Sequence, residues 1–232
     1  MIKTELHAHT DGDRADRIAH SAEALIDRAS TMGYGALAIT LHDRWTDPAP
    51  LRDYAAGRGL VILSGIERSI ERKHVLIING PKDAERLRTF ADLRAYRASN
   101  PSALVVAPHA FYPIPSALGG MLDQHPDLFD ALEVNAMRVR GVDFNRRAMA
   151  WAAAHGKPLV GNSDLHILAQ LGTTYSMVDA SAPTPDAICD AIKRGRVEVV
   201  STHLNWFRAG WLFARMVFNG GRKKGGRRAV GR

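Results

Sequence analysis

Near its start the chain reads Ile2-Lys3-Thr4-Glu5-Leu6-His7-Ala8-His9-Thr10, an apolar and β-branched run that ends in two histidines one residue apart. Runs of this kind recur along the sequence, and amphipathic stretches with helical periodicity separate them. The strand candidates are 2–7, 36–40, 61–64, 74–78, 104–107, 131–134 and 158–161. The helix candidates are 22–32, 83–97, 143–155 and 185–193.

The alternation of strand and helix candidates predicts an α/β fold with a parallel sheet and crossover helices. Seven strands in a chain of 232 residues favour a closed or nearly closed barrel, with an open doubly wound sheet as the alternative. No linker or internal repeat divides residues 1–203, so we expect them to form a single domain.

The positive charge of the chain is concentrated at one end. The net charge is +7, from 31 Lys and Arg against 24 Asp and Glu, and the isoelectric point is about 9.8. Six of these cations lie in the Gly-rich stretch 219–232, which holds no acidic residue. The body, 1–218, then has 25 basic and 24 acidic residues and a net charge of only +1. We expect 219–232 to be a flexible basic tail. The nearly neutral charge of the body does not favour nucleic-acid binding.

The segment 204–218 is rich in aromatic residues, and its stretch 206–218 reads WFRAGWLFARMVF. This pattern predicts a C-terminal helix that packs on the body or at a subunit interface. Contact with an anionic membrane is the alternative, because aromatic apolar surface followed by Lys and Arg suits such a surface. A signal-peptide region and an 18-residue apolar span are lacking, and Cys189 is the single cysteine. We therefore expect a cytoplasmic protein, with membrane association only through 204–232.

Side chains of metal-binding type follow most of the strand candidates. They are His7, His9, His42, Glu67, His74, His109, Asp164 and His166. In a (β/α) barrel the C-terminal strand ends meet on one face, where active sites are built, so these eight side chains are expected to converge.

The spacing of His7 and His9 suits a shared metal ion, because alternate side chains of a strand point to the same side. The same holds for Asp164 and His166. The whole set exceeds the four ligands of a structural zinc ion, which indicates a multinuclear site with positions open to water and substrate. Such a site can generate hydroxide near neutral pH and hold both oxygens of a phosphoryl displacement.

At these positions the sequence resembles the polymerase-and-histidinol-phosphatase (PHP) family of metal-dependent phosphoesterases. The matching motifs are His7-Ala8-His9-Thr10, Thr40-Leu41-His42, Gly65-Ile66-Glu67, His74, Pro108-His109 and Asn162-Ser163-Asp164-Leu165-His166. They follow the family's order at comparable spacing. The resemblance implies a distorted (β/α)7 TIM-like barrel, a metal-dependent phosphoric ester hydrolase, and two or three divalent ions per chain (Zn, Mn or Fe).

The resemblance also implies which residues bind each ion. His7, His9, Glu67 and Asp164 would hold one metal, and Glu67 would bridge to a second that His74 and His109 complete. His42 and His166 would hold a third, with one ligand from the loop after His9. The implied catalytic residues are His42, Asp164 and His166.

The loop after His9 departs from the family pattern. The family usually has Ser-Asp-Gly five residues after the second histidine, whereas this chain has Arg14 there. The candidates for the loop ligand are Asp13, which we prefer, and Asp11, Asp16 and His20. The second motif also lacks the usual aspartate before its histidine and carries Leu41.

Arg138 and Arg140 follow the sixth strand candidate and are expected to bind the substrate phosphate, which arginine can hold through two hydrogen bonds. Arg44 and Arg68 are the alternatives. The expected substrate is a small phosphomonoester or nucleotide, and DNA is less favoured. Histidinol-phosphatase or nuclease activity remains open, as do metal-dependent hydrolysis of carbon–nitrogen bonds and a non-catalytic metal-binding or regulatory module.

Overall fold

The computed structural model describes residues 1–219, without the side chains of residues 213 and 216–219. The predicted basic tail, 219–232, thus lies outside the described residues except for its first position. Among the described residues, no helix has the length and apolar content needed to cross a membrane.

The described part of the chain alternates strands with helices for most of its length. The strands are β1 Ile2–Glu5, β2 Ala36–Ala38, β3 Val61–Leu63, β4 Gly65–Ile70, β5 Lys73–Ile78, β6 Leu104–Ala107, β7 Ala131–Asn135, β8 Leu159–Asn162, β9 Thr174–Val178 and β10 Val197–Ser201. The α-helices are α1 Ala22–Thr31, α2 Arg52–Ala56, α3 Phe90–Ser99, α4 Met121–Gln124, α5 Asn145–Ala154, α6 Pro185–Lys193 and α7 Trp206–Asn219. Short 3₁₀ helices span Ala49–Leu51, Lys82–Arg86, Pro126–Leu128 and Leu168–Gln170.

The strands form two five-stranded sheets, in the orders β10-β9-β1-β2-β3 and β4-β5-β6-β7-β8. The runs β1-β2-β3 and β6-β7-β8 are parallel, whereas β4-β5-β6 and β1-β9-β10 are antiparallel. The α/β prediction is confirmed, but a closed (β/α)7 TIM-like barrel is not. The chain leaves the first sheet through Ser64 and turns back at Glu71 and Arg72, whose positive φ angles form a tight β4-β5 hairpin, so the parallel ladder is interrupted.

The sequence prediction and the structure agree best at the helices. The bounds of α6 match the predicted helix 185–193, whereas β9 and β10 are absent from the prediction. The predicted helix 83–97 is divided, because Thr89 and Asp92 form a capping box that begins a new helix at Phe90. In that box Thr89 Oγ1 accepts from Asp92 N at 3.1 Å, and the Asp92 carboxylate accepts from Thr89 N at 2.9 Å.

The helices pack on the sheets through separate apolar clusters. Ile188 and Ile192 of α6 are fully buried in a cluster with residues of β1, β2, β6 and β8. Phe90 of α3 and Trp151 of α5 belong to a second cluster with β4, β5, β6 and β7, and Leu25 of α1 to a third with β2. This apolar burial fixes the strands, and thereby the polar residues that follow them.

The two sheets approach each other closely where β8 meets β9. Gly161 N donates to Ser176 Oγ at 2.8 Å, and the same hydroxyl donates to Gly161 O at 3.2 Å. A Cβ atom at Gly161 would lie 2.6 Å from the carbonyl oxygen of Tyr175, closer than carbon and oxygen can approach without a shift of backbone. Glycine is therefore required here so that β8 can end beside β1 and carry Asp164 and His166 to the same place as His7 and His9.

We expect Gly161→Ala to lower the free energy of unfolding by about 1–3 kcal/mol, because the added methyl group meets backbone that cannot move aside independently. Gly120→Ala is the matched control, since a Cβ atom there has no neighbour within 4 Å and φ is −66°. The control should be neutral or stabilising by up to about 1 kcal/mol. Chemical denaturation of both variants measures the difference, and equal stability would contradict the close approach of the sheets.

Candidate metal centre

The predicted ligands lie just beyond or within strands that short backbone bridges draw together. Ala8 and Leu165 form a parallel bridge, in which His9 N donates to Leu165 O at 2.9 Å and Leu165 N to His7 O at 3.1 Å. A second parallel bridge joins His42 to Glu67. The first bridge places the histidines after β1 beside those after β8, and the second joins the end of the β2 segment to β4.

Glu67 lies at the centre of the cluster and is 1% exposed. Its Oε1 atom lies 2.7 Å from His74 Nδ1, 3.1 Å from His109 Nε2 and 3.5 Å from His7 Nε2. Its Oε2 atom lies 3.0 Å from His42 Nε2 and 3.5 Å from His9 Nε2. A single buried carboxylate is thus surrounded by nitrogen atoms of five imidazoles.

Asp164 and His166 complete the cluster from the segment after β8. The Oδ1 atom of Asp164 lies 3.3 Å from His7 Nε2 and 3.7 Å from His9 Nε2. His109 and Asp164 have φ angles of 30° and 49°, a left-handed conformation that is uncommon outside glycine. Such conformations often occur at functional sites, where the surrounding structure maintains them.

Several imidazole nitrogens in the cluster are buried without a hydrogen-bond partner. They are Nε2 of His7, Nε2 of His9, Nδ1 of His74 and Nδ1 of His109. The short distance from His74 Nδ1 to Glu67 thus does not have the direction of a hydrogen bond. Unpaired buried polar atoms are costly, and a cation that accepts their lone pairs would remove this cost. The residues therefore fit a bound metal.

The donor atoms can be grouped into sets that lie close enough to share an ion. In each set the candidate ligand atoms are all within 4.8 Å of one another. The sets are His9 with His42 and His166, His7 with His109 and Asp164, His7 with His9 and Glu67, and His42 with Glu67 and His74. Two of the sets share Glu67, whose two carboxylate oxygens can bind two ions at once.

Asp13 lies behind the cluster and orients two of its histidines. Its Oδ2 atom is 2.9 Å from His9 Nδ1, 2.9 Å from His42 Nδ1 and 2.9 Å from His42 N, which donates to it. Its Oδ1 atom accepts from Ala15 N and Asp16 N. This arrangement leaves the Nε2 atoms of both histidines directed at the cluster, as carboxylates do for metal-binding histidines in general. Asp13 belongs to none of the ligand sets among the described residues, although it was our preferred loop ligand.

The other loop candidates are placed differently. Asp16 Oδ2 is 3.2 Å from His166 Nε2 and 3.8 Å from His42 Nδ1, so the Asp16 carboxylate lies within 4 Å of both histidines. The backbone of Asp11 donates to the carbonyl oxygen of His20, and the His20 side chain lines a neighbouring cavity.

Glu133 orients His7, and sequence reasoning missed it. Its Oε2 atom lies 2.7 Å from His7 Nδ1 and accepts from Asn162 Nδ2 at 3.1 Å, and its Oε1 atom accepts from His109 N and from Asn135 Nδ2. The signal that could have found it is a charged residue inside the apolar run Ala131-Leu132-Glu133-Val134, where burial of a carboxylate needs polar partners.

Glu5 is a second buried carboxylate that sequence reasoning missed. It accepts from Ser163 Oγ at 2.6 Å, from Ser163 N at 3.0 Å and from His7 N at 3.1 Å, and so links β1 to the segment after β8. Burial raises the pKa of Glu5 to about 8, although these hydrogen bonds oppose the increase.

The protonation states within the cluster follow from burial and from opposite charges. Burial would raise the pKa of Glu67, but the nearby histidines, His74 and His42 foremost, hold it well below its ordinary value. Burial likewise opposes the low pKa of Asp13, which hydrogen bonds from His42 and His9 produce. Burial and the neighbouring imidazoles His166 and His42 lower the pKa of His9, which favours the neutral form that binds metals. Burial opposes a higher pKa at the other imidazoles, but the neighbouring carboxylates outweigh it and raise the pKa, so metal binding there would release protons; these imidazoles are His7, His42, His109 and His166.

The arginines predicted to bind substrate have other contacts in the structure. Arg138 lies 2.6 Å from Asp143 Oδ2 and contacts Ser201 and His203. Arg140 lines a cavity of about 460 Å³ beside the start of α7. No contact of either arginine with the metal-binding residues is present among the described residues.

The two alternative arginines also have structural partners. Arg44 Nη1 donates to Gly12 O at 2.9 Å, and Arg68 pairs with Asp43 at 2.6 Å and donates to Leu87 O. These contacts hold the segments that follow His9 and His42.

Comparison with known proteins connects this geometry to a family. The PHP-associated family model matches residues 143–197, which include Asp164 and His166. No curated protein sequence matches the chain.

Solved structures share the fold at low sequence identity. A two-domain protein from Bacteroides vulgatus that contains a predicted PHP-like metal-dependent phosphoesterase is 17% identical, with a TM-score of 0.69 over 86% of this chain and 64% of its own. PsfC from Pseudomonas syringae is 19% identical, with a TM-score of 0.69 over 94% of this chain and 97% of its own.

A third structure is the lesion-specific endonuclease EndoQ from Pyrococcus furiosus, at 18% identity and a TM-score of 0.59 over 85% of this chain and 57% of its own. The chain thus spans less than two thirds of the Bacteroides and Pyrococcus proteins. The matched PHP-associated segment, the shared fold and the histidine and carboxylate motifs in their order along the chain together support a protein of the PHP family.

Proposed function

We propose that this protein is a metal-dependent phosphoric ester hydrolase that uses metal-activated water on a small phosphomonoester or nucleotide. The observation that carries the proposal is the environment of Glu67, a buried carboxylate that lies within 3.5 Å of nitrogen atoms from five histidines. Several of these nitrogen atoms have no hydrogen-bond partner. The shared fold and the PHP-associated match support the same reaction class.

Imidazole and carboxylate donors suit two or three ions of Zn, Mn or Fe. His7, His9, Glu67, His74, His109, Asp164, His42 and His166 would hold them. Asp16 is better placed than Asp13 to supply the loop ligand, because its carboxylate lies against His166 while Asp13 is directed at two Nδ1 atoms. When bound, such ions supply an acidic water and neutralise the charge of a phosphate group.

The chain's own residues would orient the reaction. Asp13 accepts from Nδ1 of His42 and keeps its Nε2 directed at Glu67, so His42 would act through Nε2, as a metal ligand or, where no ion is bound to that atom, as a proton donor. His166 contacts Asp164 through Nδ1 and Asp16 through Nε2. These positions suit the proposed catalytic roles of His42, Asp164 and His166, in which one of them passes a proton to the leaving oxygen.

The substrate is proposed to be small. The net charge of the body is +1, and Arg138 is paired with Asp143. A nuclease reading is the principal alternative, since the EndoQ structure shares the fold. Histidinol-phosphatase activity and a non-catalytic module are the remaining alternatives.

We expect the purified protein to bind divalent ions through Glu67. The variant Glu67→Gln should weaken binding by more than the roughly 10- to 100-fold that follows loss of a residue that only orients a ligand. Metal analysis after dialysis and titration calorimetry with Mn²⁺ and Zn²⁺ measure the change. The control is Glu198→Gln, an exposed position in β10. Unchanged binding in Glu67→Gln would contradict the assignment of the centre.

We expect hydrolysis of 4-nitrophenyl phosphate or of nucleoside 5′-monophosphates that requires Mn²⁺ or Zn²⁺ and is abolished by a chelator. His42→Ala should lower kcat/KM by about 10²–10⁴, the usual contribution of a positioned proton-transfer group. His155→Ala is the control, because His155 stacks on Trp151 outside the cluster. A parallel assay with single-stranded DNA tests the nuclease reading, and absence of metal-dependent turnover on every substrate would contradict the proposal.

We further propose that the outer face of α7 contacts an anionic membrane while the body remains cytoplasmic. Phe207 is 93% exposed, Trp206 61% and Trp211 48%, and the segment 204–232 holds eight Lys and Arg and no acidic residue. Aromatic side chains suit the interfacial region of a bilayer, and each basic residue near an anionic surface contributes about 1 kcal/mol. A subunit contact through the same face is the competing explanation.

The chain should sediment with vesicles that contain phosphatidylserine and not with pure phosphatidylcholine vesicles. Replacing both Trp206 and Phe207 by serine should weaken this binding at least about tenfold, because two aromatic rings lose their apolar environment. Ile114→Ser, at an exposed apolar position of the body, is the control. Concentration-dependent self-association without vesicle binding would contradict membrane contact and support a subunit interface.

A further inference from the structure

A cavity of about 340 Å³ lies directly beside the metal centre. His166, one of the predicted ligands, forms part of its wall, and Ile167, Leu168 and Ala169 form an apolar part. Its polar lining comes from Arg17 and His20 in the loop after β1 and from Arg215 in α7. A molecule held at the metal centre could therefore extend past His166 into this space.

His20 offers an unused polar atom in the cavity. The residue is 9% exposed, and burial lowers the pKa of its ring, which favours the neutral form. Its Nε2 atom is buried and has no hydrogen-bond partner. With the proton on Nδ1, Nε2 of the neutral ring accepts a hydrogen bond and suits a hydroxyl group of a ligand.

Arg17 and Arg215 bring two positive charges to the same cavity. Both side chains are exposed, and within residues 1–219 neither forms an ion pair. The guanidinium of Arg215 lies over the ring of Trp211, 5.0 Å from its centre, which leaves its hydrogen-bond donors available. Two unpaired guanidinium groups at one cavity favour an anionic ligand with two or more oxygen atoms.

The position of Arg215 depends on how α7 is anchored. Leu212 is 1% exposed and packs with Val139 and Leu204, and Ala209 packs against the same cluster. Ile167 and Ala169, which follow His166, belong to this cluster too. The inner face of α7 is thus fixed on the segment that carries His166, and Arg215 is held beside the metal centre.

We infer that this cavity recognises a second anionic group of the substrate, a carboxylate or a phosphate other than the one hydrolysed, next to a hydroxyl group. Arg17 and Arg215 bind the anion, and His20 Nε2 accepts from the hydroxyl. The inference rests on the proposed phosphoesterase function, because it names the class of phosphate ester that the centre would take.

The test compares ligands that differ only in the second anion. Glycerol 3-phosphate and 3-phosphoglycerate share a hydroxyl and a phosphate, and the latter adds a carboxylate. Fructose 6-phosphate and fructose 1,6-bisphosphate form the corresponding pair for a second phosphate. Affinities are measured by titration calorimetry with the full chain loaded with Mn²⁺. In at least one pair the ligand with the second anion should bind about tenfold more tightly, and the pair that shows the difference identifies the anion.

The variants Arg17→Gln and Arg215→Gln should each reduce this preference by about tenfold or abolish it, while the affinity for the ligand without the second anion stays unchanged. Arg208→Gln, on the same helix but outside the cavity, should retain the preference. Thermal unfolding verifies that each variant is folded, and Arg17, which lies outside α7, provides an independent test if Arg215→Gln perturbs the helix.

Equal affinities within both pairs, failure of all four ligands to bind, or a preference that persists in both variants would overturn the inference. Hydrolysis of 4-nitrophenyl phosphate is assayed separately. If the protein hydrolyses 4-nitrophenyl phosphate but shows no ligand preference, the inference about the cavity is contradicted and the proposed function stands. If it shows the preference but no metal-dependent hydrolysis, the proposed function is contradicted and the cavity remains an anion-binding site.

Discussion

The contact of Glu67 with five imidazoles is the constraint on which the rest of the site depends. A carboxylate that is 1% exposed is unfavourable inside a protein unless charges or hydrogen bonds compensate for lost water. The imidazoles of His7, His9, His42, His74 and His109 come from four separate segments of the chain. Because several of their nitrogens have no hydrogen-bond partner, the cluster is satisfied only in part by its own residues, and we propose that divalent cations complete it.

A second set of carboxylates determines how those imidazoles point. Asp13 orients His9 and His42, and Glu133 orients His7, in each case through Nδ1. These contacts leave Nε2 as the atom available to a metal and increase the basicity of the ring. The arrangement would allow an anion to bind without a basic surface. The body has a net charge of +1, and bound metals, rather than lysine and arginine, would attract the phosphate that is hydrolysed.

Much of the site could be predicted from residue types and their spacing along the sequence. Its supporting residues could not, because their roles depend on contacts between residues that are far apart in the sequence. His7, His9, Asp164 and His166 follow strands, and their types and spacing indicate metal binding without knowledge of the fold. Glu133 and Glu5 lie within strands, and their partners are 126 and 158 residues away in sequence, so only the folded structure assigns them.

The fold was predicted only in part for the same reason. Helices that separate parallel strands were found, but β9 pairs antiparallel to β1 and β10 pairs antiparallel to β9, and neither pairing has a periodic signal of its own. Asp13 was chosen as a ligand from its position in the loop, and its hydrogen bonds to two Nδ1 atoms favour an orienting role instead.

The most direct test of a cation-completed centre is a crystal structure of the protein grown with Mn²⁺ or Zn²⁺, with anomalous scattering collected at and away from the metal edge. The account predicts two or three anomalous peaks, each within bonding distance of at least one of Glu67, His7, His9 and His42, and with Asp13 and Glu133 still bound to Nδ1 atoms. The absence of anomalous peaks at saturating metal, with the imidazoles turned away from Glu67, would contradict it.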